Sequence, residues 1–459
     1  MKTDKLMAPA RSWMIKALCI GAILGLSMTA GSSFAGQKPK KDNGNTMTPF
    51  ARIAHVQVVK DEYGNIDREA TYIKAKAVAT AIATYVATVN DSAESGFPAD
   101  WIVGGMEGGT TIEEAIMRIP SPNPIDPENL SLGIKKVNVM DFCNSYYAKQ
   151  ALGVAPIKGT DKKVVNGYSH APALPCEVAT WNDDENIYID MLDPNAIFSI
   201  FFTDVLVSDD MQYDPEFADA ITALPVAVKY ELKTIVYKAL DAAEIKYNTK
   251  DKAMGPKYRT VDDIFDVVAA SPNTSPYKHV AYTKSDGTDF EAGETSAVAQ
   301  AIINAMSIHG EDGAGTHPWD VDSILSENSK WRSARHLPLG LPGKPEKNWV
   351  IEACSPTYAK MAMGTGMHHA TALPCEISVQ RVNYDESLDG STEALVISYL
   401  DPFFMFGAMF SDMTDEQKAA LGHVPGYIID DLQFIVKHAL DTSGTDLSEG
   451  VQIWYTMLP

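Results

Sequence analysis

The alternation of apolar and polar residues predicts the same series of short elements twice along this chain. Strands are predicted over 136–142 and 349–353, and each runs into a cysteine and then into helix-forming residues. Asn144 and Ser355 occupy natural N-cap positions of these helices. A further strand alternates after each helix. Its apolar face is formed by Leu174, Cys176 and Val178 in the first series and by Leu373, Cys375, Ile377 and Val379 in the second.

The next strand of each series is predicted over 186–192 and 394–400, and it ends at an Asp-Pro pair, which is a strong turn signal. An aromatic run follows, which we expect to pack a helix on the sheet or to bury the interface between the copies. A closing helix completes each series. The pattern predicts an α+β fold with two homologous domains, each an antiparallel sheet with helices packed on one face.

A repeated block supports this division. The residues from His170 to Glu177 return, with one change, as those from His369 to Glu376. Further upstream, His55-Val aligns with His279-Val. We therefore predict that the chain is a pseudo-dimer of its own two domains. The predicted boundaries are a signal peptide at 1–35, a flexible leader at 36–54, domains at 55–241 and 279–441, a linker at 242–278 and a C-terminal tail at 442–459.

The amino terminus has the pattern of an export signal. Cations precede an apolar run over 17–28, and Ser33-Phe34-Ala35 supplies small residues for cleavage after Ala35. The run is shorter than the roughly 20 residues that a membrane-spanning helix needs. We therefore expect a periplasmic or secreted protein without a stable membrane anchor.

Charge narrows the classes of partner. The formal net charge is −22, and loss of the four cations and one anion of residues 1–35 would take it to about −25. An acidic surface repels phosphate backbones and anionic lipids, which disfavours binding to nucleic acid and to membrane surfaces. The partners that we expect are a small ligand or another protein.

The residues around the cysteines resemble the DUF 302 family of domains. The resemblance rests on Cys354-Ser-Pro-Thr-Tyr-Ala, Leu373-Pro-Cys375 and Asp401-Pro402, and less closely on the segment from Cys143 to Ala148 with Leu174-Pro-Cys176. It covers about the last 100 residues of each copy. The resemblance implies an α+β sandwich that associates with itself, and it implies no particular catalysis.

Four cysteines remain in the predicted mature chain, and several interpretations of them stay open. The first is one disulfide in each copy, Cys143 with Cys176 and Cys354 with Cys375, as expected for an exported protein. In each copy a predicted helix lies between the two cysteines and would hold them apart. The loop after this helix is long enough to bring the second cysteine back to the first. The second interpretation is inert buried thiols.

Glu177 and Glu376 follow cysteines on a strand, so we expect them to face away from the sulfurs and to be exposed.

The third interpretation is functional. Cys143 and Cys354 precede helices, whose positive ends lower thiol pKa values and favour thiolate. If His170 and His369 fold back beside the sulfurs, each copy offers a Cys/His/Cys set. Such a set suits a soft metal ion such as copper or zinc, or haem.

These observations give three hypotheses for function. The first is a non-enzymatic binding or electron-handling module that takes a small ligand or a soft metal at each Cys/His/Cys set. The second is a thiol redox enzyme that uses Cys143 and Cys354, which would need a base such as the nearby histidine. The third is a structural scaffold for interaction with other molecules, in which each domain is cross-linked by a disulfide bond.

Overall fold

The computed structural model describes most of the chain from residue 46 onward. The described ranges are 46–89, 101–104, 111–120, 136–165, 167–174, 176–270, 275–291, 293–308, 332–338, 348–373, 375–383, 393–447 and 451–453. The predicted signal peptide lies outside them. Every helix within these ranges is too short or too polar to cross a membrane.

The described strands and helices follow one another in two similar series. The strands are β1 (Phe50–Gln57), β2 (Trp101–Val103), β3 (Met117–Pro120), β4 (Lys136–Asn144), β5 (Cys176–Asn182), β6 (Asn186–Leu192), β7 (Asn248–Met254), β8 (Tyr277–Tyr282), β9 (Arg332–Pro338), β10 (Asn348–Cys354), β11 (Cys375–Asn383), β12 (Glu393–Leu400) and β13 (Val451–Ile453). The α-helices are α1 (Arg68–Val89), α2 (Ile112–Ala115), α3 (Ser145–Ala151), α4 (Pro194–Phe201), α5 (Thr203–Leu206), α6 (Asp209–Tyr213), α7 (Pro215–Ala242), α8 (Val261–Ala270), α9 (Glu294–Ile308), α10 (Pro356–Thr365), α11 (Pro402–Ala408), α12 (Asp415–Leu421) and α13 (Val424–Thr442). Two 3₁₀ helices, η1 (Gly167–Ala173) and η2 (Met367–Ala372), precede β5 and β11.

The strands form two antiparallel sheets with the same order. The first sheet runs β2-β4-β5-β6-β1-β7, with β3 also paired to β4, and the second runs β9-β10-β11-β12-β8-β13. Each strand from β4 to β7 therefore has a counterpart in the second half, and β1 corresponds to β8. The fold is α+β, as the sequence predicted, and the shared strand order agrees with the repeat.

Helices cover one face of each sheet. In the first half, α1 and α7 pack on a core that includes Met140, Phe142 and Val178. In the second half, α9 and α13 pack on Ile351 and Ile377. Successive strand residues face opposite sides, so the remaining residues of these strands point to the other face.

That other face packs against the opposite half. Val137 and Val139 of β4 contact Cys354 and Met363 of the second half, and Val350 of β10 packs with Cys143. The 3₁₀ helices are exchanged: η1 packs on β11 and β12, and η2 packs on β5 and β6. Phenylalanines of α4 and α11 join one shared core at this interface. The central strands of each sheet are therefore covered on both faces.

Three predicted boundaries are wrong. Strand β1 begins at Phe50, so residues 50–54 belong to the first sheet rather than to a flexible leader, and just before them Met47 is buried and forms an isolated bridge with Tyr258. The predicted linker contains β7, which pairs with β1, and helix α8. The predicted tail contains β13, which pairs with β8. These two late strands are equivalent additions to the two sheets.

The predicted alignment of His55 with His279 is also wrong. Phe50 is opposite Leu192 and Tyr277 is opposite Leu400, so Phe50 and Tyr277 are equivalent. By the same register Arg52, opposite Asp190, corresponds to His279, opposite Ser398. The two halves thus carry different polar pairs at one position.

Candidate functional site

A largely apolar cavity lies at the ends of β4 and β5 in the first half. Its volume, including the open mouth, is about 620 Å³. Both predicted cysteines of this half reach it. The lining includes Trp101, Cys143, Asn144, Tyr147, Ala148, Cys176, Phe198, Phe202 and Val228.

The strand register explains how the two cysteines approach this cavity. Cys176 is opposite Phe142 and packs with the helix-side core, whereas Cys143, one residue further along β4, packs on the interface side. They meet at the cavity because both strands end there. Both are thiols, so the predicted Cys143–Cys176 disulfide is not formed. The side chain of Cys375 lies outside the described residues, and the predicted Cys354–Cys375 pair stays a prediction.

Burial of Cys143 opposes the predicted thiolate. Burial raises the pKa of Cys143 to about 12, and burial together with the neighbouring Cys143 raises the pKa of Cys176 well above its usual value. The start of α3 does not offset this, because Asn144 Oδ1 accepts hydrogen bonds from the N–H groups of Tyr146 and Tyr147. The helix donors are therefore used by the N-cap and not by sulfur.

We expect both thiols of the first half to resist alkylation in the folded protein. At pH 8 a thiol with the pKa of Cys143, about 12, is thiolate in about one molecule in ten thousand, and thiolate is the reactive form. Iodoacetamide treatment of native and of denatured protein, followed by peptide mass spectrometry, measures this. Labelling should reach Cys143 and Cys176 only after denaturation. Rapid labelling of Cys143 in the native protein would contradict the buried thiol.

A tyrosine and a carboxylate close the cavity on its polar side. Tyr147 donates a hydrogen bond to Glu231 Oε1 at 2.5 Å, and Trp101 Nε1 donates to Glu231 Oε2 at 2.8 Å. Burial and this carboxylate raise the pKa of Tyr147, so its hydroxyl stays protonated. In the second half, Tyr358 donates to Asp431 at 2.9 Å in the equivalent place. The pair is a repeated feature that spacing in the sequence did not reveal, since 84 residues separate its members in the first half and 73 in the second.

The second half has an equivalent but smaller cavity of about 470 Å³. Cys354, Ser355 and Tyr358 take the places of Cys143, Asn144 and Tyr147. Ala359 and Phe406 correspond to Ala148 and Phe198. The chemistry of the cavity is therefore present twice.

The structure places His170 against a carboxylate. His170 Nε2 lies 2.8 Å from Asp204 Oδ1, and the buried ring stacks on Phe202 with centroids 4.1 Å apart. Tyr277 of the second half contacts the same ring. Among the described residues, His170 does not form a group of closely spaced ligand atoms with Cys143 and Cys176. The predicted Cys/His/Cys set is not assembled there.

His369 occupies the equivalent place in the second half, where Phe410 replaces Phe202. Its Nε2 lies 3.1 Å from Asp412 Oδ1, and Phe50 of the first half contacts the ring. Burial lowers the pKa of His369, although the hydrogen bond to Asp412 opposes the shift. Each half therefore places one histidine beside an aspartate and under an aromatic ring from the other half.

The sequence analysis missed a group of buried carboxylates between the halves. Glu177 and Glu376 were expected to be exposed, but they are 3% and 2% exposed and their side chains are hydrogen-bonded to each other. Asp141 and Glu352 are opposite them in the two sheets and are also buried. Burial, with Glu376 and Asp141 nearby, raises the pKa of Glu177 well above its usual value. The expectation failed because the face opposite the helices is covered by the other half.

The backbone at Gly104 lies against this group. A Cβ atom at Gly104 would lie 2.7 Å from Glu352 Oε1 and 3.4 Å from the Cβ of Asp141. A larger residue at position 104 would therefore displace the carboxylate end of Glu352. The signal in the sequence for these acids is their recurrence: Glu177 matches Glu376, and Asp141 and Glu352 each stand two residues before the first cysteine of their half.

Comparisons with models of protein families, with curated proteins and with solved structures give no match. The resemblance to the DUF 302 family therefore stays a prediction, and the site must be interpreted from its own chemistry.

Proposed function

We propose that this chain is an exported, non-enzymatic binding protein, built from two DUF 302-like domains, that takes a small and largely apolar ligand in the cavity of the first half. The observation that carries the proposal is the cavity itself. Small-molecule sites are typically concave and lined mostly by apolar side chains with a few placed polar groups, and this cavity has that character. Its lining is mainly aliphatic and aromatic.

The few polar groups in the lining are arranged for orientation rather than for reaction. Asn144 and Tyr147 bring an amide and a hydroxyl to an otherwise apolar wall. A small number of placed polar groups in an apolar pocket fixes the orientation of a ligand. The thiols of Cys143 and Cys176 have raised pKa values and are poor nucleophiles. These features favour binding over thiol catalysis.

Charge narrows the ligand class further. The protein is strongly acidic, and its field repels anions. The carboxylate of Glu231 lies just behind Tyr147 and would add to that repulsion. We therefore infer a neutral or cationic ligand with an apolar body and one hydrogen-bonding group.

A neutral fluorescent probe, N-phenyl-1-naphthylamine, tests the proposal on the mature chain. We expect its fluorescence to rise on binding with saturable stoichiometry. Ala148→Phe fills the first cavity and should weaken probe binding by about tenfold or more, a change of about 1.4 kcal/mol.

The matched control is Ala359→Phe, which fills the equivalent second cavity. If the first cavity is the principal site, Ala359→Phe should change the probe affinity by less than about twofold. Thermal unfolding of both variants checks that they are folded. Probe binding that is equally strong in folded Ala148→Phe and in the parent protein would refute the proposal.

A further inference from the structure

A second candidate site lies in the second half, outside the apolar cavity. His368, His369 and Asp412 each offer a ligand atom, and these atoms lie within 4.8 Å of one another. It is the one such group of three histidine, cysteine or acidic side chains in the part of the chain that the structure describes. We propose that these three side chains bind a divalent transition-metal ion of the zinc class. This proposal is independent of the ligand proposed above.

The spacing of the donor atoms suits such an ion. Asp412 Oδ2 lies 2.9 Å from His368 Nε2, and Oδ1 lies 3.1 Å from His369 Nε2. Zinc lies about 2.0–2.2 Å from imidazole nitrogen and carboxylate oxygen, so ligand atoms around a tetrahedral ion are about 3.3 Å apart. The two nitrogen–oxygen distances are therefore a few tenths of an ångström shorter than the spacing around an ion, and the three ligand atoms, all within 4.8 Å of one another, reach that spacing by rotation of the side chains.

The hydrogen bonds of His369 place its ring proton on Nδ1, which leaves Nε2 free to bind a metal ion. Nδ1 lies 2.8 Å from Thr365 Oγ1 and 3.2 Å from the carbonyl oxygen of Ala362. The Thr365 hydroxyl donates its own hydrogen to that same carbonyl, so both groups around Nδ1 act as acceptors. Nδ1 must then carry the proton, and in neutral imidazole Nε2 presents a lone pair.

That lone pair faces a carboxylate. Nε2 of His369 and Oδ1 of Asp412 are both acceptors in this tautomer, and they lie 3.1 Å apart. Only a cation between or beside them, a proton or a metal ion, makes the contact favourable. A ring N–H held by a backbone carbonyl is also the usual outer-shell arrangement of a metal-binding histidine.

The site combines one buried ligand with two ligands that are partly exposed to solvent. The His369 side chain is fully buried, whereas those of His368 and Asp412 are 19% and 26% exposed. Gly366 provides room for the rings, because a Cβ there would lie 2.6 Å from Cε1 of His368. One fixed ligand and two accessible ligands allow an ion to enter from solvent.

The first half supplies a natural comparison. Its equivalent residues are Ser169, His170 and Asp204, so one imidazole is replaced by a hydroxyl. The tautomer differs as well: His170 Nε2 faces Asp204, and its Nδ1 has no hydrogen-bond partner among the described residues. His170 therefore donates from Nε2 to the carboxylate, and no lone pair faces Asp204. The proposed metal site belongs to the second half alone.

The donor set defines the class of ion. Two imidazoles and one carboxylate suit zinc, cobalt, nickel or copper(II), whereas calcium and magnesium prefer oxygen ligands. Three protein ligands leave at least one position for water or another ligand. Phe50 of the first half contacts both imidazole rings, so the site lies at the interface between the two halves.

The test uses the full mature chain after removal of metals with a chelator. Calorimetric titration with Zn²⁺ should show one bound ion per chain, and Co²⁺ should give the visible absorption of a tetrahedral nitrogen and oxygen site. His368→Ser, which copies the residue of the first half, should weaken Zn²⁺ binding by more than about 100-fold. Loss of an outer-shell partner alone weakens metal binding by about 10–100-fold.

His423→Ser is the matched control, because His423 is an exposed histidine at the start of α13 and lies outside the site. It should bind Zn²⁺ as the parent does. Asp412→Asn provides a second variant and should also lose most of the affinity. Absence of one-to-one binding in the parent, or unchanged affinity in folded His368→Ser, would overturn the proposal.

Discussion

Replacement of Arg52 by methionine is expected to lower the free energy of unfolding by about 3–5 kcal/mol. Arg52 and Asp190 form a buried two-point ion pair, with Nε–Oδ1 at 2.8 Å and Nη2–Oδ2 at 3.2 Å. The Asp190 side chain is 0% exposed. Without Arg52, the carboxylate would retain the hydrogen bond from Trp181 Nε1 at 2.6 Å but no neutralising cation. A buried charge without its partner is strongly destabilising.

The position also contributes packing. The guanidinium carbon of Arg52 lies 3.5 Å from the centroid of the Tyr188 ring. Methionine keeps an apolar stem of similar length, so the variant isolates the loss of charge from the loss of volume. Urea unfolding followed by tryptophan fluorescence measures the effect, with Trp181 beside the altered pair.

The second half supplies the matched control. At the equivalent position His279 Nδ1 lies 2.7 Å from Ser398 Oγ, so the same strand position accepts a neutral pair. The double variant Arg52→His with Asp190→Ser copies it and leaves no buried charge. We expect it to lose less than half as much stability as Arg52→Met. If the single variant were as stable as the parent, the ion pair would not hold this part of the sheet.

The order of strands and helices could be predicted from the sequence because the responsible signals are local. Strands β5 and β11, the caps at Asn144 and Ser355, and helices that begin at the Asp-Pro pairs are all found in the structure. The side chains of Asp193 and Asp401 cap α4 and α11. Such signals depend on residues a few positions apart, so one sequence suffices to find them.

Elements without an apolar pattern could not be predicted in this way. Strand β7 is exposed along almost its whole length and reads Asn-Thr-Lys-Asp-Lys-Ala-Met. Its pairing with β1 is carried by backbone hydrogen bonds, which leave no periodicity in the side chains. The alignment of His55 with His279 failed for a related reason. β1 shifts register between Arg52 and Ala54, and a count of residues cannot anticipate such a shift.

Individual residues of the candidate site could be predicted from the sequence, but the way in which they are grouped in space could not. The sequence identified Cys143, Cys176, His170 and His369, and the structure divides them between a cavity and two histidine–aspartate contacts. The partners Asp204 and Asp412 follow their histidines by 34 and 43 residues. No short motif connects residues at that separation, so tertiary structure was needed to pair them.

The Glu177–Glu376 pair is expected to make stability fall as pH rises. The pKa of Glu177 is raised well above the value of 4.5 that an unperturbed glutamate has, so the folded protein holds a proton that the unfolded chain releases. Stability from this proton is fully present below about pH 4.5 and is lost as pH rises toward the folded pKa. Within that window the slope for one group approaches about 1.4 kcal/mol per pH unit.

Glu177→Gln should remove most of this dependence. An amide needs no proton to stay neutral, and its N–H₂ can donate to Glu376 in place of the shared proton. The stability of the variant relative to the parent should therefore increase with pH, from little difference near pH 4.5 to a gain of about 1 kcal/mol or more at pH 8.

Glu376→Gln should show the same trend, because the two carboxyls are hydrogen-bonded to each other. Glu185→Gln, exposed in the turn between β5 and β6, is the control and should follow the parent at every pH. Urea unfolding from pH 4.5 to 8 measures these differences, and a difference between Glu177→Gln and the parent that stays constant with pH would show that the pair holds no extra proton in the folded protein.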